Sequence, residues 1–341
     1  DKEVSPRPIR HEAIVKRIAV LDDYQGTVLS LPYWSRLSGR ARLEVFRDTL
    51  SNEDELVRRL ASYEILVTIR ERTRFPASLL ARLPALELLA LTGKNSGQAD
   101  AAAATARGVL VTETEGSGVA AIEHTIGLML ATVRSIPQED RAMRHGRWQT
   151  TIGVELSGKT LGILGLGRIG GRMAAFGKFL GMRVLAWGPT LTKERAAAAD
   201  VSYVTPDTLF RDSDVISLHL RLSEKTRRVV TAQLLSLMKP TAFLINTARG
   251  PLVDEAALVT ALRERRMAGA GLDVFDGEPL PPSHPFLTLD NVVLTPHIGY
   301  VTQEAYHIFF RQVVESIEVY LDGKIPPRTL NPEALRLRAT R

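Results

Sequence analysis

The chain has 341 residues, 45% of them hydrophobic and 24% charged, an ordinary globular composition with length enough for two domains. It has no cysteine, which excludes disulfides, thiolate metal sites and a cysteine nucleophile, and no apolar run long enough to span a membrane. The net charge of +6 is dispersed along the chain rather than gathered in a basic block. A solvated surface that helps attract anions is therefore expected, with neither nucleic acid nor membrane as a partner.

Residues 1–16 are polar and charged and read as a loosely held leader without the apolar core of a secretory signal; a cytoplasmic location is expected. IAVLDD (18–23) predicts a buried strand, RLEVF (42–46) a second, and NEDELVRRLAS (52–62) a helix with acids in its first turn. EILVTIR (64–70) and LELLALTG (86–93) are further strands, QADAAAATARG (98–108) a helix stopped by glycine, and VLVTE (109–113) a fifth strand. Strand and helix alternate at short spacing, the pattern of a parallel sheet with crossover helices. A long apolar helix is expected over 119–136, followed by a polar, arginine-bearing segment through Trp148, and this marks the first crossing between domains.

A second alternating series begins at Thr160. Its strands are expected at 160–165, 183–187, 214–220, 242–247, 270–274 and 292–296, with helices at 206–212, 232–238 and 254–266 between them and a final amphipathic helix over 302–323. Six such strands match one doubly wound dinucleotide fold. The series opens with TLGILGLGRIGG (160–171), where an apolar run meets Gly165-x-Gly167-x-x-Gly170 and an amphipathic stretch follows. Gly165 permits the tight turn, Gly167 a close backbone approach to a pyrophosphate, and Gly170 the packing of helix on strand. Glycine turns also occur merely to save space; the flanking strand and helix are what favour a nucleotide.

Ligands of such sheets bind at the carboxyl ends of the strands. There the sequence places Arg249 after the fourth strand of the series, Asp273, Asp276 and Glu278 after the fifth, and His297 after the sixth. An arginine fork holds a carboxylate, and a histidine gives or takes the proton of an alcohol. A carboxylate beside that histidine fixes its tautomer. With a nicotinamide, this set interconverts a 2-oxo and a 2-hydroxy acid. Each residue taken alone also fits a plainer role: Arg249 as a loop arginine capping carbonyls, Glu278 as a solvated turn carboxylate, His297 as a satisfied loop histidine. His219, at a strand end near the nucleotide, could line that site, although a structural role suits it better. His124, His145, His284 and His307 carry no expected chemistry. No histidine pair has zinc spacing and no G-x-S-x-G elbow occurs, so neither a metal nor a serine nucleophile is expected.

Over residues 17–331 the chain resembles the D-isomer-specific 2-hydroxyacid dehydrogenase family. The stretches that carry the likeness are LSGKTLGILGLGRIGGRMA, LMKPTAFLINTARGPLVDEAALVTAL, AGAGLDVFDGEPLP and NVVLTPHIGYVTQEA. The resemblance implies an α/β protein of two doubly wound parallel-sheet domains. One is a Rossmann cofactor domain over 119–303, the other a discontinuous flavodoxin-like substrate domain over 17–118 plus 304–331. It implies Arg249 as substrate clamp, His297 as acid/base and Glu278 as the partner of His297. It further implies a small 2-oxo or 2-hydroxy acid as substrate and a homodimer built on the cofactor domains. Cofactor contacts are expected from Gly165, Gly167, Arg168, Ile169, Gly170, Gly188, Pro189, Thr190, His219, Thr247, Ala248, Asp273 and Gly299. Substrate contacts are expected from Gly93, Lys94, Asn95, Ser96 and Gly97 together with Arg249, through backbone N–H groups of the 93–97 loop.

Two places depart from the family pattern. NAD-specific nucleotide folds usually carry an acid about 20 residues beyond the first glycine, where this chain has Gly188 and no acid before Glu194. NAD is the expected cofactor, and Thr190, Thr192, Lys193 and Arg195 keep NADP open. The loop TGKNSGQAD (92–100) maps to no particular substrate, and Arg221 stands where relatives commonly have proline. Arg70 and Arg72 could reach the cleft, although a surface position suits them better. Two other functions remain: a nucleotide-sensing, corepressor-like binding protein, and a dehydrogenase of another small anion such as phosphite or formate.

Overall fold

Strands built of consecutive apolar residues need cover on both faces, and the chain provides it twice. The computed structural model describes residues 15–339, and the chain divides into two units, Asp1–Ser117 with Thr302–Arg341, and Gly118–Val301. Residues 1–14 of the expected leader lie outside the described residues.

The first unit runs β1 (Lys16–Val20), β2 (Ala41–Val45), α1 (Glu53–Leu60), β3 (Ile65–Thr68), α2 (Ala77–Ala81), β4 (Leu88–Leu91), α3 (Ala101–Ala106) and β5 (Leu110–Thr112). The strands form one parallel sheet in the order β2-β1-β3-β4-β5, the flavodoxin-like order. Helix α3 is shorter than expected because Phe75 N donates to the Gln98 carbonyl and Asp100 N to the Phe75 carbonyl, which keeps 98–100 extended. Asp100 then caps the helix, accepting from Ala103 N at 2.9 Å.

The second unit runs α4 (Ala120–Val133), α5 (Ile136–Arg144), β6 (Thr160–Leu164), α6 (Arg168–Phe179), β7 (Arg183–Trp187), α7 (Lys193–Ala198), β8 (Ser202–Tyr203), α8 (Pro206–Asp212), β9 (Val215–Leu218), α9 (Ala232–Ser236), β10 (Phe243–Asn246), α10 (Glu255–Arg263), β11 (Gly269–Leu272) and β12 (Val292–Leu294). Its sheet is parallel in the order β12-β11-β10-β9-β6-β7-β8. Counted from β6 this is 3-2-1-4-5-6 with a seventh strand beyond, the dinucleotide-binding order. The six expected strands are thus joined by a seventh, β8, whose two residues are too few to leave a periodic signal. Alternate strand residues feed opposite cores. Leu164, Leu185 and Ile216 pack with Phe210 and Leu258 on one face, and Ile163, Val184 and Val215 with Met129 and Met173 on the other.

The single helix expected over 119–136 is two helices, and the segment after it is helical rather than merely polar. Pro137 lacks an amide proton and its ring clashes with the preceding turn. The chain turns through Ser135 at φ +53° and restarts as α5 with Pro137 in its first turn. The chain then returns to the first unit through α11 (Gln303–Leu321) and α12 (Ala334–Ala339). Helix α11 is capped by Thr302 and buries Phe309, Phe310, Val313, Val314 and Ile317, with Trp34 tilted against Phe310 at 5.9 Å between ring centroids.

Candidate active site

The glycine turn sits between β6 and α6, where β6 is flanked by β7 and β9 and the strand order reverses. Gly165 holds φ +103°, and a Cβ there would lie 2.9 Å from the His219 carbonyl carbon. A Cβ at Gly170 would run into the Gly165 carbonyl oxygen, so both glycines are required by the fold itself. Gly167 differs: it is exposed, and a Cβ there would meet nothing within 4 Å. No internal packing explains it. It is the N-cap of α6 and, as a glycine, has no side chain to cap the helix's first amides. An open glycine before bare helix amides suits a bound pyrophosphate, so these residues fit a dinucleotide. Arg168 turns its guanidinium to the Gly118 carbonyl at 2.6 Å, and Ile169 packs into the core beneath.

At the end of β7, Gly188 is buried while Pro189 and Thr190 are exposed. A Cβ at Gly188 would stand 3.6 Å from Gly165 Cα, an ordinary contact. Thr192 caps α7, and Arg195 folds back so that Nη1 donates to the Thr190 carbonyl at 2.9 Å.

His219 follows β9, with its backbone N–H on the Leu164 carbonyl and its Nε2 2.8 Å from Ser217 Oγ. Burial pushes its imidazole down to about 3, so it stays neutral through the physiological range. An unfolded histidine titrates near 6.5. Between these values the unfolded chain binds the extra proton, so this group's contribution is intact above about 6.5 and is lost as pH falls towards 3. The advantage of wild type over His219→Gln in urea midpoint is expected to shrink steadily below pH 6.5; parallel pH curves for the two proteins would contradict it.

The loops after β10, β11 and β12 are neighbours because those strands pair in register, Asn246 with Leu272 and Leu272 with Leu294. Asn246 is almost fully buried and shapes the first loop: Oδ1 accepts from Ala248 N at 3.0 Å and Nδ2 donates to the Arg249 carbonyl at 3.0 Å. Thr247 Oγ1 lies 2.6 Å from Thr125 Oγ1 of α4, while Arg249 Nη1 donates to the Ala248 carbonyl at 2.6 Å. A Cβ at Gly250 would collide with the backbone of Phe275 and Asp276, so the Arg249 loop lies directly on the Glu278 loop.

Glu278 and His297 meet. Glu278 Oε1 accepts from Phe275 N at 2.9 Å, and Oε2 lies 2.6 Å from His297 Nδ1. A carboxylate oxygen accepts, so Nδ1 carries the proton and Nε2 is left for exchange with a substrate. His297 has φ +53°, a conformation uncommon outside glycine, and its ring meets Tyr300 edge-on with centroids 5.6 Å apart. Asp273, expected at the cofactor, is wholly buried. Oδ1 accepts from Thr295 Oγ1 (2.6 Å) and Ile298 N (2.9 Å), and Oδ2 from Gly299 N (2.9 Å). His124 Nε2 lies 3.2 Å from Oδ1. Burial alone would raise this carboxyl, but the bonds from His124 and Thr295 outweigh it and hold Asp273 below its ordinary value.

In the first unit, the 93–97 loop is braced by its own unit. Gly93 N donates to Thr114 Oγ1 (2.6 Å), Asn95 N to Glu113 Oε2 (3.1 Å), Ser96 N to Gln98 Oε1 (2.7 Å) and Gly97 N to Asn95 Oδ1 (3.2 Å). These amides, expected at a substrate carboxylate, are engaged internally. Lys94 Nζ is 2.8 Å from both Glu113 and Glu115, whose carboxylates raise its pKa. Arg70 and Arg72 are half-buried rather than on the surface. The Arg70 guanidinium covers the face of Gly93, and Arg72 stacks over the Tyr24 ring at 4.3 Å and bonds the Asp22 carbonyl at 2.5 Å.

Sequence reasoning missed Tyr300, the Asn246 clasp and the His124–Asp273 pair. A period-3.6 reading puts His124 on α4 but gives no sign of which loop it meets. Among the described residues no helix is long and apolar enough to cross a membrane, and no group of three His, Asp or Glu side chains is placed to hold a metal.

Comparison with known proteins bears on this arrangement. The family profile for the D-isomer specific 2-hydroxyacid dehydrogenase, NAD binding domain, matches residues 126–299. A glyoxylate reductase of Aeropyrum pernix is 39% identical over 275 residues, 78% of this chain and 82% of that enzyme. A D-3-phosphoglycerate dehydrogenase of Archaeoglobus fulgidus is 41% identical over 77% of this chain, a match that takes in 50% of the longer enzyme. Among solved structures, a putative D-3-phosphoglycerate dehydrogenase oxidoreductase from Ralstonia solanacearum superposes with a TM-score of 0.89 at 42% identity, covering 95% of this chain and 99% of the other.

Proposed function

The chain belongs to the family of D-isomer specific 2-hydroxyacid dehydrogenases, oxidoreductases that move hydride between a nicotinamide cofactor and a 2-oxo or 2-hydroxy acid, and from that premise we propose how its residues divide the work. Residues 119–303 form the cofactor domain, and 17–118 with 304–331 the substrate domain. Gly165, Gly167 and Gly170 cradle the pyrophosphate, supported by the open position at Gly167. Arg168, Ile169, Gly188, Pro189, Thr190, His219, Thr247, Ala248, Asp273 and Gly299 border the rest of the nucleotide. When bound, the nicotinamide supplies or accepts hydride at the substrate's second carbon.

Arg249 clamps the substrate carboxylate through its guanidinium fork. His297 Nε2 delivers the proton to the carbonyl oxygen in reduction and removes it in oxidation. Glu278 fixes the ring by holding Nδ1. The 2.6 Å bond between His297 Nδ1 and Glu278 Oε2 at adjacent strand ends is the observation that carries this reading. Gly93, Lys94, Asn95, Ser96 and Gly97 are proposed as further substrate contacts, which requires a substrate carboxylate to share or displace the internal bonds of the Gly93, Asn95, Ser96 and Gly97 amides.

We take NAD as the cofactor, and the polar stretch from Thr190 to Arg195 as the part through which NADP would be accepted. A homodimer is proposed through the cofactor unit, supported by apolar side chains after α5 that stand in solvent, Trp148 at 74% and Ile152 at 97% exposure. Sedimentation should give twice the chain mass, whereas a monomer at micromolar concentration would oppose it. A cytoplasmic location, with access to the dissolved nicotinamide pool, belongs to the same proposal and is tested by cell fractionation.

The reaction is tested by following oxidation of NADH and NADPH with glyoxylate, pyruvate, hydroxypyruvate, phenylpyruvate and 2-oxoisocaproate. Turnover of at least one acid, faster with NADH, is expected. Tight nucleotide binding without turnover of any would favour a nucleotide sensor, and NAD reduction by phosphite or formate instead would reassign the substrate.

A further inference from the structure

Beneath the segment that carries His297 lies a half-buried polar cluster centred on the buried Asp273. His124 projects from α4, which is anchored by the buried Leu128, Met129 and Val133. Its Nε2 lies 3.2 Å from Asp273 Oδ1 and 3.0 Å from Thr295 Oγ1. The Thr295 hydroxyl spends its one hydrogen on Asp273, and the carboxylate can only accept. Nε2 must therefore carry a proton shared between the two oxygens. Asp273 in turn takes the Ile298 and Gly299 amides, so one buried carboxylate ties down both sides of His297. The imidazole edge also forms a wall, since a Cβ at Gly299 would lie 3.6 Å from His124 Cδ2.

His297 sits at φ +53°, a backbone conformation that persists only where its surroundings over-determine it. What holds it is the row of bonds on Thr295, Ile298 and Gly299, all drawn to Asp273. We propose that His124 is a positioning residue for the reaction: acting through Asp273 and Thr295, it fixes the 295–299 segment so that the His297 imidazole stays seated on Glu278 with Nε2 presented to the substrate. This rests on the role proposed above for His297. Without His124 the buried carboxylate loses one donor, the segment relaxes, and the ring leaves Glu278 for part of the time.

The test compares His124→Leu, which removes the donor, with His124→Gln, whose amide can still reach Asp273. In His124→Leu kcat is expected to fall about tenfold, the scale of one hydrogen bond to a charged group. The Kd for NADH should stay within about twofold, and His124→Gln should regain most of the loss. Thr295→Val, which removes the bridging hydroxyl, should reproduce it. A readout independent of turnover is the low-field proton resonance expected from the short Nδ1–Glu278 bond, sharp in wild type and His124→Gln and broadened in His124→Leu. Wild-type kcat together with a sharp resonance in His124→Leu overturns the proposal. If wild type turns over no 2-oxo acid, the reaction reading fails by itself, and the resonance still decides whether His124 positions His297.

Discussion

Replacing His297 by alanine is expected to lower kcat by roughly 10²–10⁴-fold, the usual worth of a positioned general acid, while the Kd for NADH stays within about threefold. The separation follows from geometry. His297 stands after β12, with Nδ1 taken by Glu278, and the task proposed for its Nε2 is proton transfer. The glycine turn proposed to hold the nucleotide lies after β6, with β9, β10 and β11 between it and β12 in the sheet. Losing the imidazole also removes its bond to Glu278 and its edge contact with Tyr300 at a half-buried position. Stopped-flow turnover and fluorescence titration of NADH check the two halves. An unchanged kcat would remove His297 from the chemistry, and loss of kcat and nucleotide binding together would make it a structural residue.

The second large effect separates two glycines three residues apart. Gly167→Val adds a branched side chain where a Cβ meets nothing within 4 Å, in a backbone conformation (φ −94°, ψ −157°) that any residue adopts. Its melting temperature should match wild type within a few degrees. Its Kd for NADH should rise at least about tenfold, or about 1.4 kcal/mol, because the new methyls fill the space proposed for the pyrophosphate. Gly170→Ala behaves oppositely. Its Cβ would strike the Gly165 carbonyl oxygen, a backbone atom of the turn, so β6 and α6 must separate. Overpacking of this kind costs about 1–3 kcal/mol, and the variant should melt lower whether or not nucleotide is present. Calorimetry with and without NADH reads both. A Gly167→Val protein that binds NADH normally would place the nucleotide elsewhere.

The order of strands and the glycine turn were legible because both are local. An apolar run followed by Gly165-x-Gly167-x-x-Gly170 declares its turn within twelve residues, and the strand-end positions of Arg249, Glu278 and His297 follow once the sheet is parallel. What escaped is non-local or too short. β8 has two residues, and its pairing with Leu185 and Ala186 is visible only in three dimensions. The break between α4 and α5 was written in Pro137, yet the apolar pattern running through it suggested one helix. The ion pairs of Lys94 escaped because Glu113 and Glu115 lie some twenty residues on. The partners of Asp273 escaped as well, because the donors that fill its oxygens come from α4 and from beyond β12. Side chains that answer to partners far along the chain leave no periodic trace.

The central claim is that hydride from the nicotinamide and a proton from His297 reach one carbonyl. It is tested most directly by product analysis on the 2-oxo acid that wild type reduces best, with chiral chromatography of the hydroxy acid set against the NADH consumed. One D-2-hydroxy acid per NADH is expected from wild type and from His297→Ala alike, with the rate of its formation in the variant falling in proportion to kcat. A racemic or L product, or NADH oxidised without hydroxy acid, would contradict it.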